Sequence, residues 1–246
     1  MIFLQINLED LTINDILKGS LSLVFVIIAI IIGVRILTKY FSLKRKELIT
    51  VGLTLIFLSS AWWGSAVSFV AYIFFGYSLN EFQFFLLGDA FIAIALISWI
   101  YSFTTLTYPE IKKPVLIIYF VIAIAYEIFL FSFLFIDPSV IGTIETFNSD
   151  HSIIPLIFLL FCILTFLITG ILFSRESMKS TDPKVRLKGK FILVGMVSFC
   201  FGAIFDAGIP LESIWLILVR ILLISSAIEY YIGFLLPKKL SDFFLT

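Results

Sequence analysis

One histidine, His151, and two cysteines, Cys162 and Cys200, are all that 246 residues contain of the usual imidazole and thiolate metal ligands. That shortage removes whole chemistries. A lone histidine cannot supply bis-histidine haem ligation or a histidine-rich zinc hydrolase site. The two cysteines fall near the middle of apolar segments, where small buried residues are expected rather than a disulfide. Charge is also scarce, at 14% of residues with a formal net charge of zero. No Gly-x-Ser-x-Gly, His-Glu-x-x-His or phosphate-loop pattern occurs, and the 13 glycines are too scattered to cradle a phosphate. The chain has no Asn-x-Ser/Thr sequon. An intramembrane aspartyl enzyme needs two matched aspartates, and Asp89 and Asp206 fall at unequal estimated depths. No catalytic residue and no metal ligand is therefore assigned.

What is abundant is apolar surface. Hydrophobic residues make up 61% of the chain, 29 of them Phe, and the mean hydropathy is +1.15. Ordinary soluble chains are about half apolar and a quarter charged. Runs such as "SLVFVIIAIIIGV" are apolar on every face, whereas barrel strands alternate over about 10 residues. A membrane helix needs about 20 apolar residues. Seven such segments can be laid out, at about 15–40, 48–76, 82–108, 115–136, 153–173, 189–209 and 211–236. The expectation is one all-α domain over residues 1–246, an integral membrane bundle of seven transmembrane helices.

Orientation follows from the cations. With the N-terminus outside, all of the 17 Lys and Arg except Lys18 and Arg220 fall at inner ends or loops. Positive-inside bias therefore predicts an outer N-terminus, a cytosolic C-terminus and a multi-pass plasma-membrane protein. The basic inner rim implies contact with membrane lipids of anionic character and argues against nucleic acid. The opening "MIFLQINLEDLTINDILKGS" lacks a basic n-region and reads as a short outer stub, not a cleavable signal. Two connections are long. The segment 137–152, "DPSVIGTIETFNSDHS", can fold as a cap over the outer face. The segment 174–190, "SRESMKSTDPKVRLKGK", is expected as a basic flexible loop, open to a cytosolic signalling partner or to topology alone. The tail "KKLSDFFLT" suits a segment lying in the inner interface, and no output domain is expected after it.

Charges at membrane depth are the most informative residues. Each costs about 2.5 to 3.5 kcal/mol at the bilayer centre on insertion scales. At about 1.5 Å per residue, Asp89, Glu127 and Arg220 all fall roughly 10 to 14 Å below the outer boundary. Arg220 is thus expected to have Asp89 and Glu127 as counter-ions. Three readings of that cluster stand open: a structural ion-pair lock, a ligand pocket, or a proton path. Asp206 and Glu212, near the outer ends of helices six and seven, are capping residues or an acidic mouth above Arg220. Glu229 points away from Arg220 and heads a second polar cluster with Tyr230, Tyr231 and Trp99, although Trp99 also reads as a helix-end anchor. Ser60, Gly64 and Ser68 form a small-residue ridge in helix two. Trp62 and Trp63 lie unusually near mid-span, so Trp62, Trp63 and Ser68 are expected to line a cavity.

The topology is similar to that of rhodopsins and G-protein-coupled receptors. Rhodopsins attach retinal to a lysine of the last helix, and here no lysine precedes Lys238 in that helix, so no retinal Schiff base and no other cofactor is expected. Helix three ends "YSFTTLTYPE", without the receptor family's acidic-arginine-aromatic motif. The last third, "KGKFILVGMVSFCFGAIFDAG" and "VRILLISSAIEYYIGFLLPKKL", resembles the final helices of archaeal seven-helix membrane proteins, including modules that precede histidine kinases. The shared features are a basic start, a glycine-bearing helix ending near Asp206, an arginine like Arg220, and an aromatic exit from Tyr231 to Pro237. That resemblance implies a receptor-like sensor, binding a small ligand or lipid in an outer pocket and signalling to a separate partner. A proton- or ion-coupled transporter and a non-catalytic membrane subunit are the alternatives.

Overall fold

The computed structural model describes residues 11–208 and 213–245. Seven helices among them are long and apolar enough to cross a membrane: Ile13–Leu43, Glu47–Phe75, Glu81–Thr107, Pro109–Ile136, Ile153–Met178, Pro183–Ala207 and Ser213–Leu235. Each overlaps an apolar run expected from sequence, with ends that differ by at most six residues. The differences lie at the ends and in the middle.

Span 1 is α1 (Ile13–Leu43), opened by a capping box between Thr12 and Asp15. Span 2 is not one helix: α2 (Glu47–Leu58) and α3 (Trp63–Phe75) are separated by a 3-10 turn at Ser59–Trp62. Span 3 is likewise divided into α4 (Glu81–Asp89) and α5 (Ile92–Thr107). Span 4 is α6 (Lys112–Ile136) with a short 3-10 turn before it. A two-stranded antiparallel hairpin follows, β1 (Gly142–Ile144) and β2 (Ser149–His151). Spans 5, 6 and 7 are α7 (Ile153–Met178), α8 (Pro183–Gly208) and α9 (Ser213–Leu235), and a short helix α10 (Lys238–Leu245) ends the described chain.

Helices α1, α2, α5, α7, α8 and α9 close into a ring, each packed on the next, and α6 sits outside it against α5. The apolar window of span 4 is accordingly only 17% buried. The α1–α2 contact is backbone to backbone. A Cβ added at Gly52 would lie 2.6 Å from the Gly33 carbonyl oxygen, so glycine is what lets these two helices meet.

The segment 174–190, expected as a flexible loop, is mostly helix. α7 runs on to Met178 and α8 begins at Pro183. Lys, Arg and Glu are good helix formers, so α7 and α8 continue past the apolar runs that sequence hydropathy detects. The Asp182 carboxylate accepts from the Lys184 backbone N–H at 2.8 Å, and Pro183 stands at the first helical position. The segment 137–152 does fold as a cap. Ile141 and Phe147 are fully buried, and the Phe147 ring sits edge-on to Phe69 and Tyr72 of α3 at 5.5 and 5.7 Å. Lys18 of α1 holds Glu145 of the hairpin turn at 3.0 Å.

Candidate functional site

The two helix breaks lie side by side. In span 2 the backbone of Trp62 adopts φ −107° and ψ −1°, and in span 3 Phe91 adopts φ −105° and ψ −8°. Both are in the sparsely populated bridge region, where functional residues concentrate. The breaks are stitched to each other: the Ser60 hydroxyl donates to the Gly88 carbonyl at 3.3 Å, and the Trp63 and Phe91 rings are 5.2 Å apart. A non-helical backbone at membrane depth is tolerated where it is buried in protein or lines a cavity. Here it turns the Trp62 indole inward.

Trp62 lies between three helices. Its ring is edge-on to Phe25 of α1 at 4.9 Å and to Phe199 of α8 at 6.0 Å. Its Nε1–H donates to Asp206 Oδ2 at 2.6 Å, and Arg220 of α9 donates through Nη2 to Asp206 Oδ1 at 3.1 Å. The guanidinium also lies 5.8 Å from the centre of the Trp62 ring. Arg220 is 2% exposed, and its Nε and Nη1 have no hydrogen-bond partner among the described residues. The expected pairing of Arg220 with Asp89 and Glu127 is therefore corrected: its counter-ion is Asp206. Counting residues places Cα atoms, while the long arginine stem carries its charge along the helix toward the α8 end.

Asp89, 2% exposed at the end of α4, pairs instead with His151. The imidazole Nε2 stands 3.0 and 3.3 Å from the two carboxylate oxygens. Burial would lower the His151 pKa, but the Asp89 charge, the hydrogen bond to it and the nearby Asp150 outweigh that and raise it above the ordinary histidine value. Glu127 belongs to α6, outside the ring, and cannot reach Arg220. Both its carboxylate oxygens are buried without a partner among the described residues. It lines a groove between α5 and α6 with Phe91, Ile97, Phe120 and Phe131. Glu212 lies outside the described residues.

The two ion pairs border one cavity of about 90 Å³. His151, Asn148 and Ser149 of the hairpin form one side, and Trp62, Ser65 and Asp206 another. Ile163 and Phe166 of α7 and Phe199 of α8 supply apolar wall. Of the three residues Trp62, Trp63 and Ser68, only Trp62 is in this wall, and Ser65 stands beside it. Trp63 packs on Phe57 and Phe91 and donates to Ser59 at 3.1 Å. Cys162 also lies in the cavity wall and is free, as is Cys200. His151, Asn148 and Ser149 were not singled out as binding residues from sequence. The only available signal was a lone histidine beside an acidic residue in a segment long enough to fold back as a cap.

The second polar cluster does not form as a unit. Trp99 is 0% exposed at the centre of the ring, not an anchor at a helix end, and its Nε1–H donates to Thr169 at 2.7 Å. Tyr230 lies beside it at 6.4 Å and donates to the Val51 carbonyl at 3.2 Å. Tyr231 faces elsewhere, with Arg35 5.5 Å from its ring. Glu229 packs on Gly195 of α8 and hydrogen-bonds Ser198. Adjacent positions on a helix diverge by about 100°, so Glu229, Tyr230 and Tyr231 meet three different neighbours. Below the cavity, Trp99, Phe166, Phe173, Tyr230 and Phe234 pack ring against ring and fill the space between α5, α7 and α9.

Two outcomes follow. Asp206→Ala, which strands the buried Arg220, should cost about 3 to 5 kcal/mol in denaturant unfolding of the detergent-solubilised protein. Asp206→Asn, which removes the charge but keeps one acceptor oxygen, should cost clearly less; equal losses would mean that the charge, and not the acceptor, is what Asp206 provides. The raised His151 pKa means that the His151–Asp89 pair stabilises the fold fully below the unfolded histidine pKa and loses that contribution as pH rises through the folded value. Amide exchange at 142–151 should therefore quicken, after correction for intrinsic rates, as pH rises above the ordinary histidine range. In His151→Gln that extra step should vanish. Comparison with known protein families, characterised proteins and solved structures finds no match to this chain.

Proposed function

We propose that the cavity beneath the hairpin is the ligand site of a receptor-like, sensory membrane protein. The observation that carries this reading is a small, largely apolar cavity whose wall holds one member of each of two ion pairs, His151 and Asp206, and which is backed by a packed aromatic layer. A carrier needs a wet route from one end of the bundle to the other. Trp99, Phe166 and Tyr230 stand in that path, each 5% exposed or less.

The ligand chemistry follows from the wall. A small amphiphilic molecule would set its polar group against His151 and Asp206 and its apolar part against Phe166 and Phe199. Such a ligand, touching the hairpin, α3, α7 and α8 together, can favour one of two packings that differ by a few kcal/mol. The change would pass along α7, α8 and α9 to the basic segment 174–190, where a separate cytosolic partner could read it. This assignment takes the hairpin end as outside the cell and the lysine-rich end as cytosolic, in a plasma membrane, on the strength of the cation count. Both cations that break the count lie at the hairpin end and are ion-paired there, Lys18 to Glu145 and Arg220 to Asp206. The carrier reading keeps one supporting observation, the interrupted spans 2 and 3, since broken helices also mark transporter sites.

Orientation is checked by labelling intact cells with a membrane-impermeant thiol reagent. Glu145→Cys should react at once and Ser180→Cys only after permeabilisation; the reverse order would invert the proposed sides. Ligand binding is checked by thermal-shift measurements with a panel of short-chain amines, alcohols and carboxylates. At least one should stabilise the purified wild type, and Ala203→Leu, which fills the cavity, should cancel that shift. If no compound separates the two proteins, the pocket reading fails. If the stabilising compound is instead accumulated by proteoliposomes, the protein is a carrier.

A further inference from the structure

The lysine-rich end of the bundle holds a second kind of cleft, between α5, α7, α8 and α9. Two adjoining cavities there, of about 340 and 320 Å³, share Val185 and Lys188 in their walls. The first is amphiphilic. Arg45 and Lys188 stand with the hydroxyls of Thr107 and Ser177 on one side, and Leu106, Phe173, Ile192 and Phe234 make up the other. The second adds Lys184, Lys238 and Ser241 around the same Lys188.

The acidic residues nearby are already engaged. Glu176, in the first cavity, holds Lys179 at 2.6 Å, and Asp182, in the second, accepts from the Lys184 backbone N–H at 2.8 Å. Lys188 is half-buried and spends one N–H on the Phe234 carbonyl at 3.1 Å, which fixes its ammonium at the end of α9. Beside it α10 carries Phe243, Phe244 and Leu245 exposed in its last turn, while Lys238 and Lys239 open the helix; Phe244 also touches Phe191 of α8 at 5.7 Å. A short amphipathic helix of this kind lies in the plane of a membrane interface, at headgroup depth. Cations above an apolar wall, at that depth, match a molecule that is anionic at one end and a hydrocarbon at the other.

We propose that this cleft binds one anionic phospholipid, its phosphate between Arg45 and Lys188 and an acyl chain along Phe173 and Phe234. The site is independent of the cavity beneath the hairpin and does not rest on its ligand. Basic pockets between transmembrane helices hold lipid headgroups by the same electrostatics, with a gain of about fivefold in affinity for each cation near the surface.

The test is native mass spectrometry of the full chain released from nanodiscs of equal phosphatidylglycerol and phosphatidylcholine. The wild type should retain one phosphatidylglycerol in strong preference to phosphatidylcholine. Arg45→Gln, on an exposed turn whose replacement leaves the core intact, should reduce that preference about fivefold, and Arg45→Gln with Lys188→Gln about 25-fold. Lys39→Gln with Lys113→Gln, which removes two cations elsewhere at the same end, should leave it unchanged. Equal retention of the two lipids by the wild type overturns the proposal. So does an equal loss in the Lys39/Lys113 variant, which would mean diffuse attraction. Displacement of the adduct by millimolar inorganic phosphate overturns it in favour of a soluble phosphate ligand.

Discussion

Arg220 cannot be buried alone. A guanidinium inside a bundle of helices apolar enough to cross a membrane must be given a counter-charge and acceptors, and the way this chain supplies them organises the half of the molecule that holds the cavity. Asp206 provides the charge from α8, and the Trp62 indole, donating to the same carboxylate and facing the cation with its ring, locks the pair from span 2. For Trp62 to point that way the helix has to be interrupted just before it, and the 3-10 turn at Ser59–Trp62 does so. The carbonyls released by the two breaks are partly satisfied by serines, Ser59 on Ile56 and Ser60 on Gly88.

The hairpin is the second consequence. Asp89, at the break in span 3, is almost fully buried and also needs a cation. No helix supplies one among the described residues; the chain between spans 4 and 5 folds back and brings His151. The hairpin is held by apolar residues as well, Ile141 and Phe147, and by Lys18 through Glu145, so the ion pair sits in a structure that would persist as its protonation changes. A histidine whose pKa is raised by its buried partner, in the wall of a cavity, couples pH to the same space that a ligand would fill.

The two ends of the bundle are built differently. Near the hairpin, polar groups converge on a small cavity. In the middle, Trp99 and its neighbours pack ring against ring, and at the lysine-rich end the polar groups are cations at the rim of amphiphilic clefts. Glu127 fits neither arrangement. It lies on the one span outside the ring, and the structure offers its carboxylate no partner among the described residues.

Hydropathy alone determined that seven apolar helices exist and where each begins and ends to within about six residues, because a helix satisfies every backbone group within itself. It also identified Asp89, Arg220 and Trp62 as residues out of place in an apolar run, since the cost of a buried charge or an off-interface tryptophan is written in composition. It did not reveal who partners whom. Estimated depth made Asp89 and Glu127 equal candidates for Arg220, whereas the ring of helices puts α6 on the outside and α8 beside α9. Nor did it reveal the helix breaks, since Ser59–Trp62 and the residues after Asp89 are as compatible with a continuous helix as with a turn. Periodicity places a residue on a face of its own helix; only the packing of the helices against one another, and a loop folding back between them, decides which faces meet.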